Sequence, residues 1–253
     1  MDNKKLKTFI SVSVIVLIWF IVSSLNIYSE YLLPSPLKVL TRFFSLLSNQ
    51  TLIEHVIISL QRVFSGYFIA LIFAIIFAIV SLFYPKVMEF FDGIIQFFRN
   101  VPPLGLIPLL ILWFGIGEKS KLIVIILASF FSMFLSIEKG FKSTDVKLLE
   151  VGKSFGFNRW KMFKKIIVPY AIPDVLVGMR VGMGYSYRAI IGAEMIAASS
   201  GLGYMINFAR SMSQTDIVIV GIIVIGLLGY LCDLIFKKLI DILLKDTKGH
   251  GWN

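Results

Sequence analysis

Apolar residues form long runs that recur along the whole chain. Six of these runs approach or reach the roughly 20 residues that a helix needs to cross the hydrocarbon core of a bilayer. A spanning segment must satisfy its backbone hydrogen bonds internally, which a helix does. The pattern therefore predicts an all-α integral membrane protein with six transmembrane helices, at 8–27, 60–83, 101–117, 120–138, 174–196 and 217–237.

The overall composition supports a surface that faces lipid. Of the 253 residues, 57% are hydrophobic and only 16% are charged, whereas a soluble domain carries about 25% charged residues. The mean hydropathy is +0.86. Residues 88–98, just before the third run, are more polar and predict a helix that lies at the membrane interface.

Positive charge is distributed unevenly between the predicted loops. With the N-terminus in the cytoplasm, 16 of the 25 lysines and arginines fall on cytoplasmic segments and five on outer segments. Because basic residues concentrate in cytoplasmic loops, we predict a multi-pass cell-membrane protein with both termini and residues 140–168 in the cytoplasm. The net charge of +10 then needs no nucleic-acid partner.

One transmembrane domain accounts for residues 1–253, with its core at about 58–240. The first apolar run, 8–27, begins after basic residues, as a secretory signal peptide does. Its apolar stretch exceeds the length of a signal-peptide core, so we expect an uncleaved N-terminal anchor helix.

The residues needed for catalysis are missing from the predicted spans. His55 is predicted in an outer loop and His250 in the C-terminal tail, so serine–histidine and metalloprotease chemistry within the membrane is excluded. The single cysteine, Cys232, provides neither a disulfide nor a metal cluster. The tripeptide Gly-Lys-Ser at 152–154 lacks the glycine of a phosphate-binding loop, since position 147 is lysine. We therefore expect no enzyme activity and no catalytic, cofactor or metal site.

The fifth predicted span carries the ionisable residues Arg180, Arg188 and Glu194. Intramembrane charges are costly and usually face a cavity or a partner, so Ser186, Arg188 and Glu194 are candidates for a translocation path. Small residues recur in the same span and allow close helix packing. A purely structural role for this span remains open, as does an ion pair between Arg188 and Glu194.

The third predicted span, in RNVPPLGLIPLLILWFGIGEKSK (99–121), is interrupted by prolines and glycines. Broken backbone hydrogen bonds are tolerated in a membrane where they meet protein or a water-filled cavity. We therefore nominate Asn100, Pro102 and Pro108 as part of a gate. An ordinary proline kink is the alternative.

Residues 140–169 form the longest basic segment between spans. Thr144 or Asp145 is placed to cap a short helix that ends at a left-handed Gly156. Asn158 is placed to cap a second helix, 159–168, which Pro169 and then Pro173 would end. On that helix Trp160, Phe163 and Ile167 share one side. The pattern predicts a projecting helix–turn–helix; a helix lying on anionic lipid is the alternative.

The same segment resembles the cytoplasmic loop of ABC importer permeases. That loop has the pattern Glu-Ala-Ala, three residues, Gly, nine residues, Ile-x-Leu-Pro, and this chain matches its spacing from Glu150 through Gly156 and Ile166 to Pro169. Further segments resemble the nitrate/sulfonate/taurine-type permeases in the same order, over about four-fifths of the chain. They are LLPSP (32–36), SLQRVFSGY (59–67), the 99–121 segment and GAEMIAASSGLGYMI (192–206).

The resemblance implies the fold of a type I ABC importer permease, with this loop as the contact to a separate ATPase. It implies a homodimer of permeases, two cytoplasmic ABC ATPases that bind the ATP, and an extracytoplasmic solute-binding protein. The solute would be a small anion such as a sulfonate, taurine or nitrate, or a vitamin or pyrimidine precursor. The residues expected to contact or position the ATPase are Glu150, Phe155, Gly156, Trp160, Phe163, Ile166 and Pro169. Glu150 is expected at the start of its helix, near the positive end of the helix dipole.

Two other classes of protein are alternatives to an importer subunit. A stand-alone secondary transporter often has repeated halves, and this sequence shows no convincing repeat. A membrane enzyme lacks support because the predicted spans contain no histidine and no pair of acidic residues.

Overall fold

The computed structural model describes residues 3–25 and 27–244, which fold into helices without a β-strand in those ranges. A 3₁₀ turn covers Pro103–Leu106 and a π-turn covers Phe163–Ile167. The all-α fold is as predicted. The α-helices are α1 (Asn3–Ser24), α2 (Pro36–Ser48), α3 (Thr51–Phe83), α4 (Pro85–Asn100), α5 (Ile107–Phe114), α6 (Glu118–Lys142), α7 (Val146–Ser154), α8 (Arg159–Met162), α9 (Val168–Ala197), α10 (Leu202–Ser211) and α11 (Thr215–Leu243).

Several helices are long and apolar enough to cross a membrane. Among the described residues four qualify on their own: α3, α6, the continuous helix Arg159–Ala197, and α11. A fifth span is formed if α4 and Pro103–Phe114 are taken together, although their axes differ by 89°. The apolar part of α1, Ile10–Ser24, is shorter. The described residues thus contain four or five helices of spanning length where the sequence predicts six, and the predicted span 8–27 coincides in part with the shorter apolar stretch Ile10–Ser24.

The core is built mainly from α3, α6 and α9. The helices α6 and α9 pack closely because glycines of α9 face side chains of α6. A Cβ atom at Gly178 would lie 2.6 Å from Ser136 Cβ, and one at Gly182 would lie 2.7 Å from Met133 Sδ. In the same way Gly66 of α3 lies against Ile125 of α6. Small residues therefore set the helix separation, as membrane packing requires.

Two predicted helix boundaries differ from the structure. Helix α3 begins at Thr51 and not at residue 60, so His55 lies on a helix and not in a loop. The third predicted span is not one helix, because α5 covers only Ile107–Phe114. Prolines precede it, and Gly115, at φ +76°, ends it.

The prediction that Pro169 and Pro173 end the second short helix is wrong. The helix continues from Arg159 to Ala197 over 39 residues. In the π-turn the Val168 N–H donates to the carbonyl oxygen of Phe163, five residues earlier. This wider turn shifts the hydrogen-bond register just before Pro169, where an N–H is missing, and the chain stays helical.

The two ends of the bundle carry different groups. At one end the rings of Phe83 (α3) and Phe141 (α6) each lie 5.5 Å from the ring of Phe163, centroid to centroid. At the other end α2 packs on α11, where Arg42 Nε donates to Asp216 Oδ2 at 2.8 Å. The predicted cytoplasmic loop belongs to the first end.

Candidate functional site

Helix α7, the turn after it, α8 and the π-turn form one preformed unit. We call this unit, residues 144–169, the coupling loop. Asp145 caps α7, since its Oδ1 accepts the Lys147 N–H at 2.9 Å. Gly156 has φ +70°, a conformation that glycine adopts without strain. The Phe157 N–H donates to the Gly152 carbonyl at 3.0 Å and closes the turn. Of the two predicted caps, Thr144 and Asp145, the structure has Asp145, and the left-handed Gly156 is confirmed.

The N-cap of the next helix, α8, also follows the sequence prediction, whereas the position predicted for Glu150 in α7 does not. Asn158 Oδ1 accepts the Lys161 N–H at 2.8 Å and starts α8. Glu150 was expected near the positive start of its helix, but α7 begins at Val146. Glu150 therefore lies in mid-helix with an exposed side chain, and Asp145 occupies the helix start.

The aromatic face of α8 packs on the chain itself. Phe163 is buried, and Trp160 stacks on it with ring centroids 5.4 Å apart. Gly152 of α7 lies over Ile166, because a Cβ atom there would be 2.6 Å from Ile166 Cδ1. Phe163 and Ile166 thus fix the loop to the bundle.

An apolar stripe of the loop is exposed on α7 and on the residue that follows it, Phe155. Leu148, Val151 and Phe155 follow the i, i+3, i+7 spacing of one helix face, and all three are exposed, Phe155 by 73%. Phe155 is among the residues predicted to contact the ATPase, whereas Leu148 and Val151 are not, although their spacing is visible in the sequence. Trp160 adds a half-exposed ring nearby in sequence.

A cavity of about 470 Å³ lies between the α4–α5 connection, α6 and α9. Arg188, one of the predicted path residues, lines it, and so does Arg99 at the end of α4. Its other lining residues are predominantly apolar. They are Phe98, Val101, Pro103, Leu104, Leu106, Leu127, Ala128, Phe131, Ser132, Leu135, Tyr185 and Ala189.

The predicted gate residues lie beside this cavity and not in its lining. Asn100 ends α4, and its Nδ2 donates to the Gln96 carbonyl at 2.8 Å. Pro102 lies at the bend before the 3₁₀ turn, and Pro108 lies in the first turn of α5. Their neighbours Arg99, Val101 and Pro103 provide the lining.

Glu194, predicted in a translocation path, does not line this cavity. Its side chain is buried, and its carboxylate pairs with Arg62 at 2.8 Å from Oε1 to Nη1. The Ser59 hydroxyl donates to the same carboxylate at 2.8 Å, and the Gly203 N–H donates at 3.0 Å. Arg62 also binds Glu118 at 2.7 Å. This network joins α3, α6, α9 and α10.

The suggested ion pair between Arg188 and Glu194 is likewise absent from the described residues, because Arg62 occupies that carboxylate. Arg180 forms an exposed pair with Asp233 at 2.7 Å. Ser186, expected in the path, is fully buried, and its Oγ has no hydrogen-bond partner among the residues that the structure describes. Of the three predicted path residues on α9, Arg188 alone reaches the cavity.

Comparisons with known proteins agree with this architecture. Residues 66–243 match the family described as binding-protein-dependent transport system inner membrane component. The taurine transport system permease protein TauC of Escherichia coli K12 is 35% identical over 234 residues, covering 90% of this chain and 85% of that protein. An E. coli K12 protein named as a putative aliphatic sulfonates transport permease is 38% identical, covering 87% and 83%.

Solved transporters share the fold at low sequence identity. An amino acid ABC transporter chain superposes with a TM-score of 0.65 at 18% identity, covering 81% of this chain and 98% of that one. A chain of the inward-facing methionine ABC transporter MetNI gives 0.60 at 15% identity, covering 76% and 97%. The chain therefore belongs to the binding-protein-dependent transport system inner membrane component family, and it is a multi-pass ABC importer permease subunit, a transport component and not an enzyme.

Proposed function

We propose that this subunit transmits ATP-driven motion from a separate ABC ATPase to a solute path, and that the coupling loop is the ATPase contact. The observation that carries the proposal is the exposed stripe Leu148, Val151 and Phe155 on a loop that is capped at Asp145 and fixed to the bundle. Interface energy concentrates in a few buried apolar contacts. A stripe of this kind would provide them, and the nearby lysines would meet acidic groups of the partner.

The loop and the cavity belong to one mechanical element. The helix that starts in the loop at Arg159 runs without a break to Ala197, and Arg188 of that helix lines the cavity. Rigid helices transmit displacement between distant sites. A pull on the loop would therefore tilt the wall of the cavity that α9 provides.

The proposed assembly has two copies of this chain, two ATPases that bind ATP, and an extracytoplasmic solute-binding protein. Both termini and the coupling loop would be cytoplasmic, from the excess of basic residues on these segments. The expected partners follow from membership of the family.

The solute we propose is a small anion such as a sulfonate, taurine or nitrate. Relatives named for taurine and aliphatic sulfonates support this class, and so does the cationic Arg188 in the cavity. A vitamin or pyrimidine precursor is the second candidate.

Retention of the ATPase during purification tests the proposed contact. Gly156→Val should lose the ATPase, because a β-branched residue is strained by about 1–2 kcal/mol in a left-handed conformation. Gly156→Asn is the matched control, since asparagine tolerates that conformation, and it should retain the partner. A Cβ atom at this position meets no other atom within 4 Å, so a steric clash does not confuse the result. Equal retention by both variants would contradict the proposal.

A further inference from the structure

We propose that Arg99 and Arg188 form a binding subsite for the anionic group of the transported solute, and that the apolar wall of the same cavity holds a short carbon body. The inference rests on the proposed function, because it assumes that a solute passes through this subunit. It adds the location of the solute, the chemistry that recognises it, and the role of Arg99.

The two arginines differ from the cations that form ion pairs within the helical bundle. Arg62, Lys121 and Arg180 each pair with a carboxylate at 2.7–2.8 Å. By contrast, neither Arg99 nor Arg188 makes an ion pair or a side-chain hydrogen bond with any residue that the structure describes. Both arginine side chains are exposed in the described chain and line the cavity, and an unpaired cation within the depth of a membrane is costly. An anionic ligand between them would offset that cost.

The lining defines the kind of anion. It contains no aspartate and no glutamate, so the cavity has an excess of two positive charges. Leu104, Leu127 and Phe131 provide apolar surface, and Ser132 and Tyr185 carry hydroxyl groups. A volume of about 470 Å³ is in the range of small-molecule sites. This combination fits a small sulfonate or a similar anion with an apolar body.

A neighbouring cavity marks one side of the subsite. It has a volume of about 390 Å³ and shares Arg99 and Leu135 with the first. Its charged lining comprises Glu89, Asp92 and Glu138, together with Lys142, which pairs with Glu138 at 2.7 Å. These carboxylates repel an anion. A negatively charged solute would therefore bind at the arginines and not in the second cavity. Arg99, which lines both cavities, is the boundary between them.

Charge-selective labelling of a cysteine in the cavity tests the subsite. The full chain, purified with its partners in a nonionic detergent, would carry Cys232→Ser and Ser132→Cys, because Ser132 lines the cavity and a thiol is nearly isosteric with its hydroxyl. Two methanethiosulfonate reagents would be compared, one with an ethylsulfonate arm and one with an ethyltrimethylammonium arm. Ser48→Cys in the same background, an exposed position flanked by uncharged residues, gives the reference ratio of the two labelling rates.

We expect the ratio of the sulfonate labelling rate to the trimethylammonium labelling rate to be roughly tenfold higher for Ser132→Cys than for the Ser48→Cys reference. Nearby positive charge attracts the sulfonate reagent and repels the ammonium reagent. Adding Arg188→Met or Arg99→Met should lower this preference, whereas Arg188→Lys should retain most of it. Arg210→Gln, an exposed arginine on α10 outside the lining, should change nothing. Methanesulfonate should slow labelling, and tetramethylammonium chloride should not.

Three results would overturn the subsite. The first is a rate ratio for Ser132→Cys equal to that for Ser48→Cys, and the second is a ratio unaffected by both arginine replacements. The third is protection by added phosphatidylglycerol without protection by methanesulfonate, which would identify a lipid phosphate as the ligand. The measurement needs neither ATP nor coupling, so its failure is distinct from the loss of ATPase retention that would contradict the proposed function.

Discussion

Arg62 and Glu194 form a buried ion pair, with 2.8 Å between Arg62 Nη1 and Glu194 Oε1, that joins α3 to α9 at the end of the bundle away from the coupling loop. The guanidinium also binds Glu118 at 2.7 Å, and its Nη1 donates to the Ser200 carbonyl at 2.7 Å. The Glu194 side chain is fully shielded from solvent. Removal of one partner from a buried ion pair leaves the other charge uncompensated, which destabilises the fold.

Arg62→Met should therefore destabilise the protein by roughly 3–5 kcal/mol, because it leaves the buried Glu194 carboxylate without its charged partner. Glu194→Gln should cost less, about 1–3 kcal/mol, because Arg62 keeps its ion pair with Glu118. Thermal unfolding of the purified chain in detergent measures the effect. Replacing the exposed ion-paired residue Lys38 by Gln is the matched control and should cost less than about 1 kcal/mol. If Glu194→Gln has wild-type stability but impaired uptake, Glu194 belongs to the translocation path.

Two buried serines should respond in opposite directions to alanine. Ser186 Oγ has no partner among the described residues, so Ser186→Ala should be neutral or stabilising. Ser59 donates to Glu194 and accepts the Leu202 N–H at 2.8 Å. Ser59→Ala should cost about 1–3 kcal/mol, because it leaves polar groups unsatisfied. The same thermal unfolding assay compares them, and a larger loss for Ser186→Ala would contradict the packing described here.

Glycines on opposite faces of α9 provide a third test. Gly182 touches Met133 of α6, and an added Cβ atom would lie 2.7 Å from the sulfur. Gly184 of the same helix has no atom within 4 Å of an added Cβ. Gly182→Ala should thus destabilise the protein by about 1–3 kcal/mol through overpacking, and Gly184→Ala should not. Similar losses for both would indicate that helix propensity, and not contact with α6, determines the effect.

These glycines illustrate what the sequence could provide. Spacing of small residues along 178–186 predicted close packing, and hydropathy predicted the apolar segments, because both depend on local pattern. The caps at Asp145 and Asn158 and the turn at Gly156 also follow from local backbone chemistry. For the same reason the spacing of the exposed stripe on α7 was available in the sequence, although it was not recognised.

Long-range relationships could not be predicted in this way. Arg62 and Glu194 are 132 positions apart, and no local pattern identifies their pairing. The continuation of the helix through Pro169 depends on a π-turn, which hydrophobic periodicity does not indicate. The inward direction of Phe163 depends on Phe83 and Phe141 from other helices. Tertiary contacts decide each of these features.

Membrane orientation remains a prediction from charge asymmetry. In a Cys232→Ser background, a cysteine at Lys153 should react with an impermeant thiol reagent only after the cells are opened, because α7 should be cytoplasmic. A cysteine at Ser48, in α2, should react in intact cells with a permeable outer envelope. Labelling of the Lys153 position in intact cells would reverse the topology.

ATP-driven uptake in proteoliposomes tests the central claim most directly. The importer, reconstituted with its ATPase and binding protein, should accumulate solute only when ATP reaches the ATPase side, and an ion gradient alone should not drive uptake. Phe155→Ala should abolish most uptake, because it truncates the exposed stripe. Lys161→Ala is the control and should retain uptake, because that lysine lies over the Phe157 ring at 4.4 Å, on the polar side of the loop. Uptake without ATP, or wild-type ATP-driven uptake by Phe155→Ala, would contradict the account.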